Sequence, residues 1–359
     1  MARGRSRAVI GVVAVAVLAV VGAVLWVLFP RSGSSLEAAV AQLPEETLRV
    51  SYVDWESVRA ASGDIGPDAS PREVGRFISR VRELDASPLT ALGDQISLYQ
   101  RTFGVSVLGA RWEALGQSRT GQVNLLAVDE SVDLDAVERR LARLGYREPT
   151  DGAGSGGVWA GGPDLVAEIG GGLTPIVQSV AVRPDERLVA FSDSDLYLSQ
   201  ALDVLDGEKP AMTDVEHVDA LVAAAGDPTD GALLAQDFAC EALSMTLASE
   251  EGQAGLDAVL AERPGTADPL QGYWIGRTGR DLVIAMAFGS PETAESNLET
   301  RALLASGPGY GEGGRVDDRF VLEEARTEDD LVVLDAQVRP RTRVMNTFIN
   351  GPVGFATCG

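Results

Sequence analysis

The first thirty residues constrain this chain most. It opens Met1-Ala2-Arg3-Gly4-Arg5-Ser6-Arg7, and then runs 22 residues, Ala8 to Phe29, without one charged or strongly polar side chain. A helix of that length rises roughly 33 Å, enough to cross a hydrocarbon core of about 30 Å. Arg31 closes the run, and Trp26 stands near its outer end, where an indole suits the membrane interface. A cleaved signal peptide is the rival reading. Its apolar stretch would be about 7–15 residues long and end in small side chains. Here the run is longer and ends in bulky residues, Trp26-Val27-Leu28-Phe29-Pro30, with no cysteine after it for a lipid. The sequence therefore predicts an uncleaved anchor over 8–29. Three arginines before it keep residues 1–7 cytoplasmic and place everything beyond about 31 outside the cell membrane.

That outer part is strongly acidic. All 53 Asp and Glu residues follow Arg31, against 26 basic residues, and the chain has a single lysine, Lys209. Such a charge excludes nucleic acid as a partner and predicts repulsion from anionic headgroups. One histidine, His217, and two cysteines leave too few ligands for a zinc site.

Residues 30–46 hold Ser, Gly and Pro and read as a stalk. Beyond them the pattern is α+β. Leu48–Val53 alternates like a strand, and Asp54 caps a short helix carrying Trp55 and Val58. Ser70-Pro71-Arg72-Glu73 is a capping box, with Val74, Phe77, Ile78, Val81 and Leu84 on one helical face. Ser87-Pro88 predicts a second helix through Ile96 and Tyr99, paired with the first as a hairpin. Strand 122–129, helix 134–144, a hairpin of 179–183 with 188–192, and a helix capped by Ser194 follow. From Thr213-Asp214-Val215-Glu216, a second capping box, the same grammar returns: a helix to Gly226, strands 272–276 and 282–288, a helix from Ser290-Pro291, a hairpin of 320–325 with 331–338, and a short helix around Phe348. Strands joined as hairpins make a largely antiparallel sheet with packed helices. The order suggests two similar halves, 47–209 and 210–359, although no residue-level identity links them.

Few residues suggest chemistry. Cys240 and Cys358 lie in an oxidising compartment as an even pair and predict one disulfide. The Gly307–Arg315 segment could converge backbone N–H groups on an anion. It lacks the Lys-Ser/Thr and strand-to-helix setting of a phosphate loop, and Glu312, Asp317 and Asp318 repel anions. Tyr310, Glu312, Arg315, Asp317 and Asp318 thus remain as a possible contact loop. Asp129, Asp133, Asp135, Asp193 and Asp195 match no calcium loop; Asp133 reads as a helix cap. His217 reads as a surface residue beside Glu216. No nucleophile elbow occurs, and no catalytic residue, metal ligand or cofactor site is expected.

Three segments, Asn297–Arg301, Gly307–Phe320 and Asn350–Cys358, together with 43–55, resemble a group of membrane-anchored proteins of high-GC Gram-positive bacteria for which no activity is known. The resemblance implies a location and no chemistry. The expectation is a single-pass membrane protein whose outer α+β domain binds or scaffolds a protein partner. The alternatives are an extracytoplasmic hydrolase using carboxylates, or a ligand-binding ectodomain.

Overall fold

The computed structural model describes residues 34–358, apart from 64, 93–94 and 263–266. The expected anchor, 8–29, and the cytoplasmic tail lie outside the described residues. Among the described residues, no helix is long and apolar enough to cross a membrane.

Eleven strands form one sheet: β1 Arg49–Asp54, β2 Ala110–Gln117, β3 Gln122–Val128, β4 Val158–Ala160, β5 Ser179–Arg183, β6 Leu188–Ser192, β7 Asp230–Ala235, β8 Gly272–Thr278, β9 Asp281–Ala287, β10 Phe320–Glu328 and β11 Leu331–Val338. Their order is β10-β11-β9-β8-β7-β1-β2-β3-β6-β5-β4, and every pairing is antiparallel. The order β1-β2-β3-β6-β5 is repeated by β7-β8-β9-β11-β10, and the two runs meet back to back where β1 pairs with β7.

The match extends to single bonds at the strand ends. Asp54 N donates to Thr229 O as Ala235 N donates to Leu48 O (2.8 and 2.9 Å). Val128 N donates to Arg187 O as Phe288 N donates to Asp330 O (2.8 and 3.0 Å). Where each first hairpin hands over to its second, the backbone geometry is thus the same in both runs.

Helices cover both faces. One face carries Trp55–Ser62, Pro71–Glu83, Ile96–Phe103, Leu134–Leu144, Glu250–Ala261 and Pro291–Leu304 over the larger apolar core. The other carries Ser35–Val40, Asp195–Leu205 and Val218–Ala225. Burial on both sides explains why β7, Asp-Gly-Ala-Leu-Leu-Ala, shows no alternation: all six residues are buried.

Four expectations change. Ser35–Val40 is helical with Leu36, Ala39 and Val40 fully buried, so the packed body begins inside the expected stalk. Ser87-Pro88 opens only a 3-10 turn, Ser87–Leu89, and the next helix starts at Ile96. Thr213–Glu216 caps no helix. Asp214 instead closes a turn onto Ala211 N (2.9 Å), and the helix begins at Val218. His217, expected at the surface, has a side chain only 8 % exposed, with Nδ1 2.8 Å from Asp330 Oδ2 at the head of β11. Its φ of +68° turns the ring inward, away from the helix that follows.

Candidate functional site

The helical face of the first run is assembled from strong local signals. Asp54 accepts from Ser57 N (3.0 Å) and Ser57 Oγ (2.7 Å), fixing the start of Trp55–Ser62. Gly63, at φ +99°, ends it in the left-handed conformation. Pro71–Glu83 opens on the full capping box, with Ser70 N donating to Glu73 Oε2 (2.8 Å) and Glu73 N to Ser70 Oγ (3.4 Å). Its buried residues are Val74, Phe77 and Val81. Asp133 caps Leu134–Leu144 by accepting from Ala136 N at 2.9 Å. Pro71–Glu83 packs on Ile96–Phe103, which packs in turn on Leu134–Leu144. Arg140 ties the last two by donating to the carbonyls of Gln100 (3.3 Å) and Arg101 (2.9 Å).

Underneath lies a polar hub. Glu113 of β2 is fully buried, and its carboxylate accepts from Trp55 Nε1 (2.8 Å), Thr90 Oγ1 (2.8 Å) and Ala91 N (3.0 Å). Burial raises its pKa, and the donors oppose that rise. One side chain thereby anchors the helix after β1 and the turn that precedes Ile96–Phe103. Asp85, at φ +59° and 2 % exposed, accepts from Met345 N (2.8 Å) and so joins the first run to the C-terminal segment. Asp230 and Arg277 form a buried two-pronged pair between β7 and β8, 2.8 Å in each arm. Burial still pushes Asp230 up to about 6.

The outward face of these helices carries an excess of positive charge. Pro71–Glu83, Ile96–Phe103 and Leu134–Leu144 hold eight arginines against four acids, and seven of the eight arginines are exposed. On the second run, Glu250–Ala261 and Pro291–Leu304 hold six acids and one arginine, Arg301, which is fully buried. Residues 55–147 have 12 basic and 13 acidic side chains, whereas 148–359 have 13 and 36. The repulsion of anions read from total charge is therefore reversed locally, over the first helical face.

A half-open cleft of about 420 Å³ lies on this face between Trp55–Ser62 and Pro71–Glu83. Ser62, Glu73, Arg76 and Arg80 supply its polar wall; Ile65, Ala69 and Phe77 supply its apolar wall. None of these was singled out in the sequence as a site. The available signal was four arginines in eleven residues, Arg72, Arg76, Arg80 and Arg82, inside an acidic chain.

The expected contact loop is folded against the body. Pro308 bridges Arg315, Gly309 N donates to Gly314 O (2.9 Å), and Gly307 N donates to Asp317 Oδ1 (2.9 Å). Arg315 pairs with Asp317 (2.5 Å), and Asp318 is exposed. Tyr310 sits over Gly252 and Gly255 on one side and Gly354 on the other. Glu312 is half-buried, and burial raises its pKa. The loop wedges Glu250–Ala261 against the C-terminal segment, and Arg315 and Asp318 are what it leaves at the surface.

Cys240 and Cys358 form the expected disulfide, with Cα atoms 5.6 Å apart. Beside it Arg301 donates to the carbonyls of Phe355 (3.2 Å), Thr357 (2.5 Å) and Asp268 (2.7 Å), and its guanidinium lies 5.5 Å from the Phe288 ring centre. Of the candidate calcium ligands, Asp129 accepts from Ser131 N (2.9 Å), Asp193 from Gln122 N (2.9 Å), and Asp195 from Ser179 Oγ. Among the described residues, no three His, Cys, Asp or Glu side chains converge as a metal site.

No protein-family model matches the sequence, and no curated protein matches it. Among solved structures, the chain is similar to crystal forms of TP0453. Form I aligns over 86 % of this chain and 96 % of that one at 7 % identity and a TM-score of 0.37. Form IV aligns over 88 % and 99 % at 6 % identity and a TM-score of 0.40.

Proposed function

We propose that this protein is a binding module, held at the outer face of a cell membrane by its N-terminal segment, that takes an anionic partner on the helical face of residues 71–144. The observation that carries the reading is the gathering of eight arginines on three adjacent helices of a body rich in acids. Field lines from the acidic remainder steer an anion away everywhere else, which confines encounters to this face. The repeated strand order supports a further step: the body arose by duplication of one β-hairpin-helix-hairpin unit, and only the first copy kept a basic face. The hydrolase alternative gains little, because the two most buried aspartates are occupied. Asp230 is held by Arg277, and Asp85 by the amide of Met345.

The test is photo-crosslinking in cells. A crosslinking side chain at the exposed positions Ser79 or Ala142 should give discrete adducts, and one at Glu292 or Glu295 should give none. The adducts should vanish when Arg72, Arg76 and Arg80 are changed to Glu. Adducts of equal yield from both faces, or survival after charge reversal, would overturn the reading. The mass of the mature N-terminus tests the anchor separately: a chain beginning beyond about Arg31 removes the membrane from the proposal.

A further inference from the structure

We propose that the outer edge of β10 takes up an added strand from a protein partner, an extended segment in which a large apolar residue is followed by Lys or Arg. This goes beyond the partner on the basic helical face and does not depend on it.

The first run shows what fills this place. There the outermost hairpin strand, β5, is covered by β4, with Val158 opposite Ala181, Trp159 opposite Val180 and Ala160 opposite Ser179. As a result β5 is buried at every position from Ser179 to Val182. Arg183 faces Leu188 as Glu328 faces Leu331, so Ser179, Val180 and Ala181 match Glu324, Ala325 and Arg326. β10, however, pairs with β11 alone. Among the described residues no strand lies across from Glu324–Arg326, and no residue from Glu324 to Glu328 is buried. Such an edge offers a row of unpaired backbone N–H and C=O groups, which an extended peptide can extend as a further strand.

The side chains of β10 define the strand that fits. Trp159 is 2 % exposed and lies in the larger apolar core with Val180. Leu322 and Ala325 pack at the margin of that same core and are only half-buried, so a large apolar side chain opposite Ala325 completes their burial. On the other face of the strand, Arg326 is committed to Glu328 (2.8 Å) and to Asp335. Glu324 is exposed and has no ion pair among the described residues. A cation opposite it makes a favourable cross-strand pair. In the antiparallel register of β4, the residue opposite Ser179 follows the one opposite Val180, which sets the order apolar, then basic.

A second copy of this chain is the wrong occupant. β10 carries Glu323, Glu324 and Glu328 against Arg326 alone, and its register shifts between Leu322 and Glu324. Two such edges would set acid against acid across a bulge, which are the usual guards against self-pairing. Those guards leave the stretch from Glu324 to Glu328 in unbroken register, and a basic strand meets attraction there.

The experiment uses the full chain in phosphatidylcholine nanodiscs and the peptide acetyl-Thr-Val-Thr-Trp-Lys-Val-Thr-amide, with hydrogen exchange as the readout. The peptide should slow exchange across 321–328 about tenfold at saturation and leave β4 and β5 unchanged. Serine in place of its tryptophan should weaken binding about tenfold, and glutamate in place of its lysine about fivefold. Glu324→Lys should reverse the preference between the lysine and glutamate peptides. Two further peptides are N-methylated at alternate residues, one on the odd and one on the even positions. A strand turns alternate N–H groups to opposite edges, so one of these should fail to bind and the other should bind normally. The proposal is overturned if exchange is not slowed at peptide concentrations up to roughly 5 mM, if both N-methylated peptides bind alike, or if Glu324→Lys leaves the preference unchanged. It is also overturned if 321–328 is protected before peptide is added, because the edge then belongs to a second copy or to this chain's own N-terminal segment.

Discussion

The two runs of the sheet solve one packing problem with different chemistry. In the first, the helices are fastened from beneath by Glu113, which gathers an indole, a hydroxyl and an amide. In the second, the position matching Glu113 in the β2 and β8 registers is Tyr273, whose hydroxyl donates to Phe348 O at 3.2 Å. The remaining fastening there falls to the Cys240–Cys358 bridge and Arg301. Strand order and the matched bonds at strand ends are shared; fasteners and surface charge are not. The sheet is thus the fixed part of the design, and the helices over it are free to take opposite charge. The basic face lies on the run whose fasteners are all hydrogen bonds, and the covalent bridge lies on the acidic one.

The sharpest way to break this comparison is to remove the bridge. Cys240→Ser with Cys358→Ser opens a loop of 118 residues. The chain-entropy model gives a loss of roughly 4–5 kcal/mol, an upper figure because the reduced chain keeps some structure. Hydrogen exchange should then speed up in β8, β9 and Pro291–Leu304 while β2 and β3 keep their protection. Equal loss in both runs would show that the halves unfold as one unit and that the distinction between their fasteners has no consequence.

Next come the two polar anchors. Arg301→Ala strips three carbonyls of a charged donor deep in the core, and Glu113→Ala strips three donors of their acceptor. Each should cost about 3 kcal/mol, since removing one side of a buried polar cluster leaves the other side unpaired. Chemical denaturation of each variant checks the size. Arg301→Lys should not rescue, because a single ammonium cannot replace the planar fork that reaches carbonyls on two segments. Rescue by Lys would mean that the charge matters there and the geometry does not.

How legible these features were depends on how local their physics is. The capping box at Ser70, the Asp133 cap and the hairpins of β5–β6, β8–β9 and β10–β11 rest on neighbours within a few residues, and the sequence shows them. The disulfide was legible by arithmetic, because two cysteines allow one pairing. β2 was hidden because Glu113 interrupts its apolar pattern, and that acid has its reason 58 residues away at Trp55. The helix Glu250–Ala261 was hidden by Gly252 and Gly255, which look like breakers and are landing points for Tyr310. His217 looked like a surface residue because its partner, Asp330, is 113 positions distant. The cleft is local in sequence, within residues 62–80, but it was illegible because no periodicity shows how the connection holding Ile65 and Ala69 folds back over Pro71–Glu83.

Acidity offers a gentler comparison. Burial raises the pKa of Glu113 in the first run and of Asp230, to about 6, in the second. Both lie above their unfolded values of about 4, so the folded state takes up these protons first as pH falls. The contribution of Asp230 to stability is therefore complete below about pH 4 and is lost as pH rises through about 6, and Glu113 acts in the same direction. Neutralising part of the acidic surface works in the same direction. The melting temperature should be higher at pH 5.5 than at pH 7.5, and Glu113→Gln, already neutral, should flatten the slope without removing it. A melting temperature that falls between pH 7.5 and 5.5 would show that the Asp230–Arg277 pair outweighs burial.

The smallest effect separates the two helical faces by a single methyl group. Gly75 lies mid-helix in Pro71–Glu83, exposed, with nothing within 4 Å of where a Cβ would stand. Alanine there restricts the unfolded chain and favours the helix, so Gly75→Ala should stabilise by about 0.5–1 kcal/mol. Gly252 also lies in a helix, and its amide donates to the Ser249 cap at 3.1 Å. A Cβ at Gly252 would overlap the carbonyl oxygen of Tyr310, a backbone atom held by a closed loop. The gain in helix propensity is therefore outweighed by a displacement that the loop resists, and Gly252→Ala should destabilise by about 1–3 kcal/mol. Thermal melts of the two variants side by side give the signs directly. Opposite signs mean that the first helical face is open to solvent and ligand while the second is closed by its own chain. If both substitutions stabilise, Tyr310 gives way easily, the wedge of 307–315 is soft, and those residues regain their standing as a surface for a partner.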